Sequence, residues 1–128
     1  SRSDVVVVVV GEKPYSEGVG DRDSLHLSDE DLKLLKKVKN SNLPHVVILI
    51  SGRPMIISEV IVDSDAFIAA WLPGTEGLGI SDVMFGDFDF TGTLSMTWPK
   101  SMKQIPINYG DNNYDPLFQF GFGLSYNK

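Results

Sequence analysis

Two glutamates lie in a loop directly behind a run of six valines, a placement suited to proton transfer. The valines occupy residues 5–10, and Glu12 and Glu17 follow in a stretch rich in Gly, Pro, Ser and charge. Six β-branched residues in a row predict a central parallel strand that is buried on both faces. Open parallel sheets bind ligands outside the carboxyl ends of their strands, so these carboxyl groups are candidate acids or bases. The simpler alternative is that they only pair with Lys13 or Arg22.

Other site chemistries lack the residue patterns that they require. The valine run is not followed by G-x-G-x-x-G opening a helix, and no Gly-Lys-Ser/Thr of a phosphate loop is present. Ser51, His26 and Asp65 are the residue types of a hydrolase triad, but no G-x-S-x-G motif surrounds the serine. His26 and His45 have no metal-ligand spacing. We therefore expect no metal and no cofactor.

Composition narrows the possible partners. The 128 residues carry a formal net charge of -6 and include no cysteine. The excess negative charge repels nucleic acids and anionic membranes, and the lack of cysteine excludes disulfides, zinc thiolates and thiol catalysis. No apolar run approaches the roughly 18 residues of a membrane helix. We expect neither a nucleic-acid partner nor a membrane partner.

Apolar runs alternate with helical patterns in the first two thirds of the chain, which predicts a parallel sheet with helices on its faces. Ser28 with Asp31 three residues later predicts an N-cap and a capping box, and the helix stops within residues 40–44. A further helix is predicted for residues 75–85, whereas residues 55–62 fit a helix or a strand. The predicted strands are residues 5–10, 45–50 and 66–72.

The pattern changes after Gly86. Apolar and polar residues alternate from Phe88 to Trp98, with a turn signal at Thr91 and Gly92. This alternation predicts an antiparallel hairpin at the edge of the parallel sheet. The remaining residues are rich in turns and aromatic side chains.

Five motifs in fixed order carry a specific resemblance over residues 4–126. They are GEKPYSEGVGDR, LISGRPMII, AFIAAWLPGTEGLGISDVMFGDF, TGTLSMTWPKS and YDPLFQFGFGLSY. Together they resemble the second domain of glycoside hydrolase family 3, which includes β-glucosidases and exo-acting glucan hydrolases. The resemblance implies an α/β fold, a three-layer sandwich with a mostly parallel, flavodoxin-like sheet and an antiparallel edge hairpin.

The resemblance also implies the catalytic side chain, and three supporting side chains are assigned from their positions. Carried over from the family pattern Gly-Glu-x-Pro-Tyr-x-Glu, the catalytic general acid/base is Glu17. Glu12 is the rival candidate and is expected to brace the loop, with Arg22 as its partner. Arg53, which follows the second strand, is expected to pair with an acid of this loop; the alternative is a substrate clamp. The resemblance leaves the substrate-binding residues of this chain unassigned.

The same resemblance predicts how the chain is organised. Residues 1–128 are expected to be one domain, the C-terminal portion of the sandwich, without the first part of the sandwich and without the N-terminal barrel that supplies the nucleophilic aspartate. The parent is expected to be a retaining, exo-acting β-glucosidase or β-glucan glucohydrolase acting on β-linked gluco-oligosaccharides, secreted or periplasmic. The chain alone is expected to be inactive. The alternative is a non-catalytic carbohydrate-binding or structural module.

Overall fold

The computed structural model describes residues 3–126, and the chain divides into two compact units. The boundary falls between Leu72 and Pro73. The first unit contains the parallel sheet, and the second contains one α-helix and the aromatic C-terminal segment. That residues 1–128 make up one domain stays a prediction.

The first unit is built on a three-stranded parallel sheet. Its strands are β1 (Val6–Gly11), β2 (His45–Ile50) and β3 (Ala66–Trp71), in the order β1-β2-β3. Val6 pairs with His45, and Gly11 pairs with Ile50. All three predicted strands are present within one residue at each end, and the parallel α/β class is confirmed.

Helices occupy both connections between the strands. Helix α1 (Asp29–Lys39) links β1 to β2, and α2 (Ser58–Asp63) links β2 to β3. Residues 58–62 of the ambiguous segment are therefore helical, whereas Ile56 forms a β-bridge with His26. Ser28 Oγ accepts a hydrogen bond from the Asp31 amide at 3.1 Å, so the predicted N-cap is confirmed. The Asp31 carboxylate accepts from the Ser28 hydroxyl at 2.9 Å. Among residues 3–126, no helix is long and apolar enough to cross a lipid bilayer.

The sheet is covered on one side of β1 and open on the other. The buried side chains of the first unit include those of Val8, Val10, Leu27, Val47, Leu49, Met55 and Ile57. Val5, Val7 and Val9 point the other way and remain 51%, 42% and 56% exposed. The prediction of a central strand buried on both faces is therefore wrong for the described residues: β1 lies at the edge of the sheet, and one of its faces is uncovered.

The second unit contains α3 (Gly77–Phe85), a short 3-10 helix (Met102–Gln104) and a buried Trp98. The predicted hairpin with a turn at Thr91 and Gly92 is wrong. Trp98 instead forms an isolated antiparallel bridge with Phe118, and the segment before it pairs with the residues that follow Phe118. Alternation identified an extended segment but not its partner, which lies some twenty residues further along the chain.

Candidate active site

The candidate site forms where the loops after β1 and β2 leave adjacent strands. The Glu12 amide donates to the Ile50 carbonyl at 3.0 Å, which extends the strand pairing by one residue. The Gly52 amide, on the second loop, donates to Glu12 Oε2 at 3.2 Å. Because carboxyl ends of neighbouring parallel strands lie at the same edge, the fold brings these two loops together.

Glu12 is the centre of this cluster. Its side chain is only 3% exposed, and its Oε1 lies 3.0 Å from Arg22 Nη1 and 3.3 Å from Arg53 Nε. Its Oε2 accepts from the Tyr15 hydroxyl at 3.1 Å. A carboxylate that is buried in this way needs such partners, since an unpaired charge would lose its hydration without compensation.

The two arginines connect this carboxylate to more distant parts of the first loop. Arg22 Nη2 donates to the His26 carbonyl at 3.1 Å, and Arg53 Nη2 donates to the Gly20 carbonyl at 2.8 Å. Arg53 Nε also donates to the Tyr15 hydroxyl at 3.0 Å. The hydrogen bond with Tyr15, and then the charge of Glu12, raise the pKa of Arg53 above its usual value against the opposing effect of burial, so Arg53 stays charged.

Glu17 lies apart from this cluster. It is exposed and is the first residue of a 3-10 helix, Glu17–Gly20, in the same loop. Its φ is +48°, in the left-handed region that residues other than glycine rarely adopt. Within residues 3–126 its side chain makes no hydrogen bond or ion pair. The structure thus groups Glu12, Arg22 and Arg53, and leaves Glu17 facing solvent.

Sequence reasoning gave no role to two members of the cluster, Tyr15 and Gly52. Tyr15 contacts Glu12 and Arg53 through its hydroxyl, and the Arg53 guanidinium carbon lies 4.5 Å from the Tyr15 ring centroid. The position of Tyr15 between the two glutamates was the available signal. Gly52 contributes a backbone amide, which residue type does not reveal.

The residues of the rejected hydrolase triad are engaged elsewhere. The buried Ser51 donates its hydroxyl to the Arg53 carbonyl at 2.8 Å, and Asp65 accepts from the His45 amide at 2.9 Å. His26 forms a parallel backbone bridge with Ile56. Over the described part of the chain, no group of three or more His, Cys, Asp or Glu side chains could hold a metal ion.

Comparison with known proteins identifies the family. A sequence model described as "Glycosyl hydrolase family 3 C-terminal domain" matches residues 1–126. The chain belongs to this family. The predicted family is confirmed.

Several family 3 proteins are similar to this chain. It is 37% identical to the lysosomal beta glucosidase of Dictyostelium discoideum, a match that covers 97% of this chain and 16% of the relative. It is 36% identical to a beta-xylosidase of Formosa agariphila, covering 97% of this chain and 19% of the relative. The chain therefore spans less than a fifth of the length of these two relatives.

A solved structure confirms the fold. A mutant of the exo-1,3/1,4-beta-glucanase from a Pseudoalteromonas species superposes with a TM-score of 0.93 at 46% identity, covering 100% of this chain and 22% of that one. Together with the three parallel strands and their helices, this likeness supports the predicted α/β sandwich. The relatives are named as glycoside hydrolases, and this chain corresponds to a C-terminal part of such enzymes.

Proposed function

We propose that this chain is the C-terminal portion of the sandwich domain of a retaining, exo-acting β-glucosidase or β-glucan glucohydrolase, and that Glu17 is its general acid/base. The observation that carries the proposal is the contrast between the two loop glutamates. Glu12 is buried against two arginines, whereas Glu17 is exposed on the same loop. Only an exposed carboxyl group has the access to a sugar that proton transfer requires.

The proposed reaction needs a second carboxylate outside this chain. In the first step Glu17 protonates the departing glycosidic oxygen while the nucleophilic carboxylate attacks the anomeric carbon and forms a glycosyl-enzyme. In the second step Glu17 removes a proton from water, which displaces the nucleophile. The two carboxyl groups of a retaining enzyme stand about 5–5.5 Å apart. We place the nucleophile in an N-terminal barrel of the same protein.

Glu12, Arg22 and Arg53 support the acid/base loop in this proposal. The ion pair of Glu12 with Arg53, at 3.3 Å, fastens the loop to the exit of β2, and its ion pair with Arg22, at 3.0 Å, joins two parts of the same loop. Arg53 is committed to three partners within the first unit, Glu12, Tyr15 and Gly20. A loop-holding role therefore suits Arg53 better than a substrate clamp.

The relatives suggest the substrate class but leave the sugar open. One is named a beta glucosidase, one a beta-xylosidase, and the superposed structure an exo-1,3/1,4-beta-glucanase. We propose β-linked gluco-oligosaccharides, since that structure has the highest identity of the three, 46%. We also propose a secreted or periplasmic parent.

The decisive variant is Glu17→Gln in the full-length enzyme. Loss of the acid should lower kcat/KM for phenyl β-glucoside by about 10²- to 10⁴-fold, because general acid–base catalysis contributes about that much. The kcat/KM for 2,4-dinitrophenyl β-glucoside should change little, since its leaving group needs no proton. Azide should raise the depressed kcat for this activated substrate by attacking the glycosyl-enzyme without a base.

The matched control is Glu59→Gln, which changes an exposed glutamate of α2. It should leave the kinetics with both substrates unchanged. Full turnover of phenyl β-glucoside by the Glu17→Gln enzyme would show that the proton comes from another group.

A further inference from the structure

Tyr15 lies in a close-fitting position between the two loops of the site. Its hydroxyl donates to Glu12 and accepts from Arg53, and the Arg53 guanidinium carbon lies 4.5 Å from the ring centroid. Two glycines allow the fit. A Cβ on Gly20 would overlap ring atoms Cδ2 and Cε2, and a Cβ on Gly52 would lie 2.6 Å from the hydroxyl oxygen.

These contacts close the segment that carries Glu17. Arg53 binds the Tyr15 hydroxyl at 3.0 Å and the Gly20 carbonyl at 2.8 Å. Residues 16–19 therefore form a short bridge whose two ends are tied to one guanidinium group. Glu17 lies in the middle of that bridge, so its backbone position follows from contacts made by its neighbours.

The backbone of Glu17 needs such support. Its φ of +48° is unfavourable for a glutamate, and conformations of this kind persist only where surrounding contacts hold them. The Ser16 side chain makes no capping hydrogen bond to the 3-10 helix that follows. The Asp21 amide donates to the Gly18 carbonyl at 3.1 Å, and the side-chain contacts that hold this turn come from Tyr15 and from Arg53, which binds the Gly20 carbonyl.

We propose that Tyr15 is a positioning residue for the general acid/base. Through its hydroxyl it couples Arg53 and Glu12 to the turn that presents Glu17, and so fixes the direction from which the proton reaches the glycosidic oxygen. This inference rests on the proposed role of Glu17. Proton transfer depends steeply on geometry, so a loosened turn should reduce protonation of the leaving group and leave the nucleophilic attack intact.

The test is Tyr15→Phe in the full-length enzyme. The variant keeps the ring and its contact with Arg53, and removes only the hydroxyl. The kcat/KM for phenyl β-glucoside should fall about tenfold, a partial loss of the effect of the acid itself. The kcat/KM for 2,4-dinitrophenyl β-glucoside should stay within about twofold, since that step needs no proton. Azide should raise the kcat for the activated substrate, as it does for Glu17→Gln.

A second variant disturbs the position of Tyr15 by a steric clash. Gly20→Ala keeps the tyrosine hydroxyl but pushes the ring aside, because the added methyl group would overlap it. It should reproduce the dependence on the leaving group. Gly79→Ala on α3 is its matched control, since a Cβ on Gly79 would meet nothing within 4 Å. Tyr109→Phe is the control for the hydroxyl, because Tyr109 is 74% exposed and its hydroxyl makes no hydrogen bond within the described residues. Both controls should keep wild-type kinetics.

The outcomes separate this inference from the proposed function. Equal losses of Tyr15→Phe on both substrates, or no loss on either, overturn the positioning role if Glu17→Gln shows the expected dependence on the leaving group. If Glu17→Gln shows no such dependence, the assignment of the acid/base is wrong and the positioning role is wrong with it. A loss confined to phenyl β-glucoside in Tyr15→Phe and Gly20→Ala, with unchanged controls, supports both.

Discussion

At the scale of single residues, the loop glutamates illustrate how burial separates two chemically identical groups. Glu12 has a side chain that is 3% exposed and shares its oxygens among Arg22, Arg53, Tyr15 and the Gly52 amide. Such a carboxylate is held in place by its partners and is shielded from an incoming sugar. Glu17, five residues later, is exposed, and within the described residues its side chain makes no hydrogen bond or ion pair.

Replacing the buried carboxylate should loosen the loop. Glu12→Gln keeps the shape of the side chain but leaves Arg22 and Arg53 without a negative partner, which should cost about 1–3 kcal/mol of local stability. The Gly52 amide, which donates to this side chain, should exchange its hydrogen about tenfold faster or more. Hydrogen-exchange mass spectrometry of the full-length protein measures this change.

Glu59→Gln, an exposed substitution, should leave the exchange at Gly52 unaltered. Wild-type exchange in the Glu12→Gln protein would mean that the arginines hold the loop without the carboxylate.

The sequence indicated which side chains lie at the site, but not which backbone groups take part in it. Glu12, Arg22 and Arg53 were singled out as charged residues at strand exits, and the structure brings them together. Gly52 and the Gly20 carbonyl act through the backbone, so only the folded loop reveals them. Tyr15 could be quoted as part of a motif, but its contacts depend on the loop folding back on itself.

At the scale of elements, β1 has the composition of an interior strand and the position of an edge strand. Its outward side chains Val7 and Val9, together with Val5 just before the strand, are between 42% and 56% exposed. Charged side chains, proline or bulges usually prevent an edge strand from pairing with another chain. The valine run has none of these, so the described structure presents an unprotected edge next to an apolar surface.

We expect the 128-residue chain to self-associate through this strand. Val9→Lys places a charge on the exposed side of β1 and should shift the sedimentation profile towards the monomer, since edge lysines oppose strand pairing. Val62→Lys is the control, because Val62 is 83% exposed on α2 and lies away from the edge. Equal shifts from both substitutions would mean that net charge, and not the edge, governs association.

Elements defined by local chemistry were predictable, and those defined by distant partners were not. Ser28 with Asp31 three residues later marked the start of α1, and the structure has the helix there. The apolar run at residues 45–50 likewise gave β2. The segment ending at Trp98 was predicted as a hairpin, but its partner is Phe118, and alternation carries no information about which later segment pairs with it.

At the scale of the whole molecule, the proposed function gives the chain one half of a two-carboxylate site. It covers 16% and 19% of the two relatives described above, and the proposed nucleophile lies outside it. A retaining mechanism fails with one carboxyl group, because no glycosyl-enzyme can form. The sugar pocket is then also shared with the remainder of the parent.

The isolated 128-residue chain should therefore release no measurable 2,4-dinitrophenol from 2,4-dinitrophenyl β-glucoside. Calorimetric titration with β-linked glucose oligomers should show no binding heat at millimolar ligand. Binding without hydrolysis would favour a carbohydrate-binding module. Hydrolysis of phenyl β-glucoside by the isolated chain, abolished by Glu17→Gln, would mean that both carboxyl groups reside in this chain.

A run of one amino acid does not by itself define the register in which a strand pairs with its neighbour. In β1 the residue that defines the register is Gly11, which has no side chain. A shift of the valines by two positions along β2 would present the same faces to the core. Gly11, opposite Ile50, prevents slippage in one direction, because any Cβ there would overlap the Ile50 carbonyl oxygen. Slippage in the other direction would draw Glu12 and Lys13 into the ladder. Because Gly11 has no Cβ, it fixes the register of the valine strand on β2. It thereby also fixes where the loop that carries Glu12 and Glu17 begins.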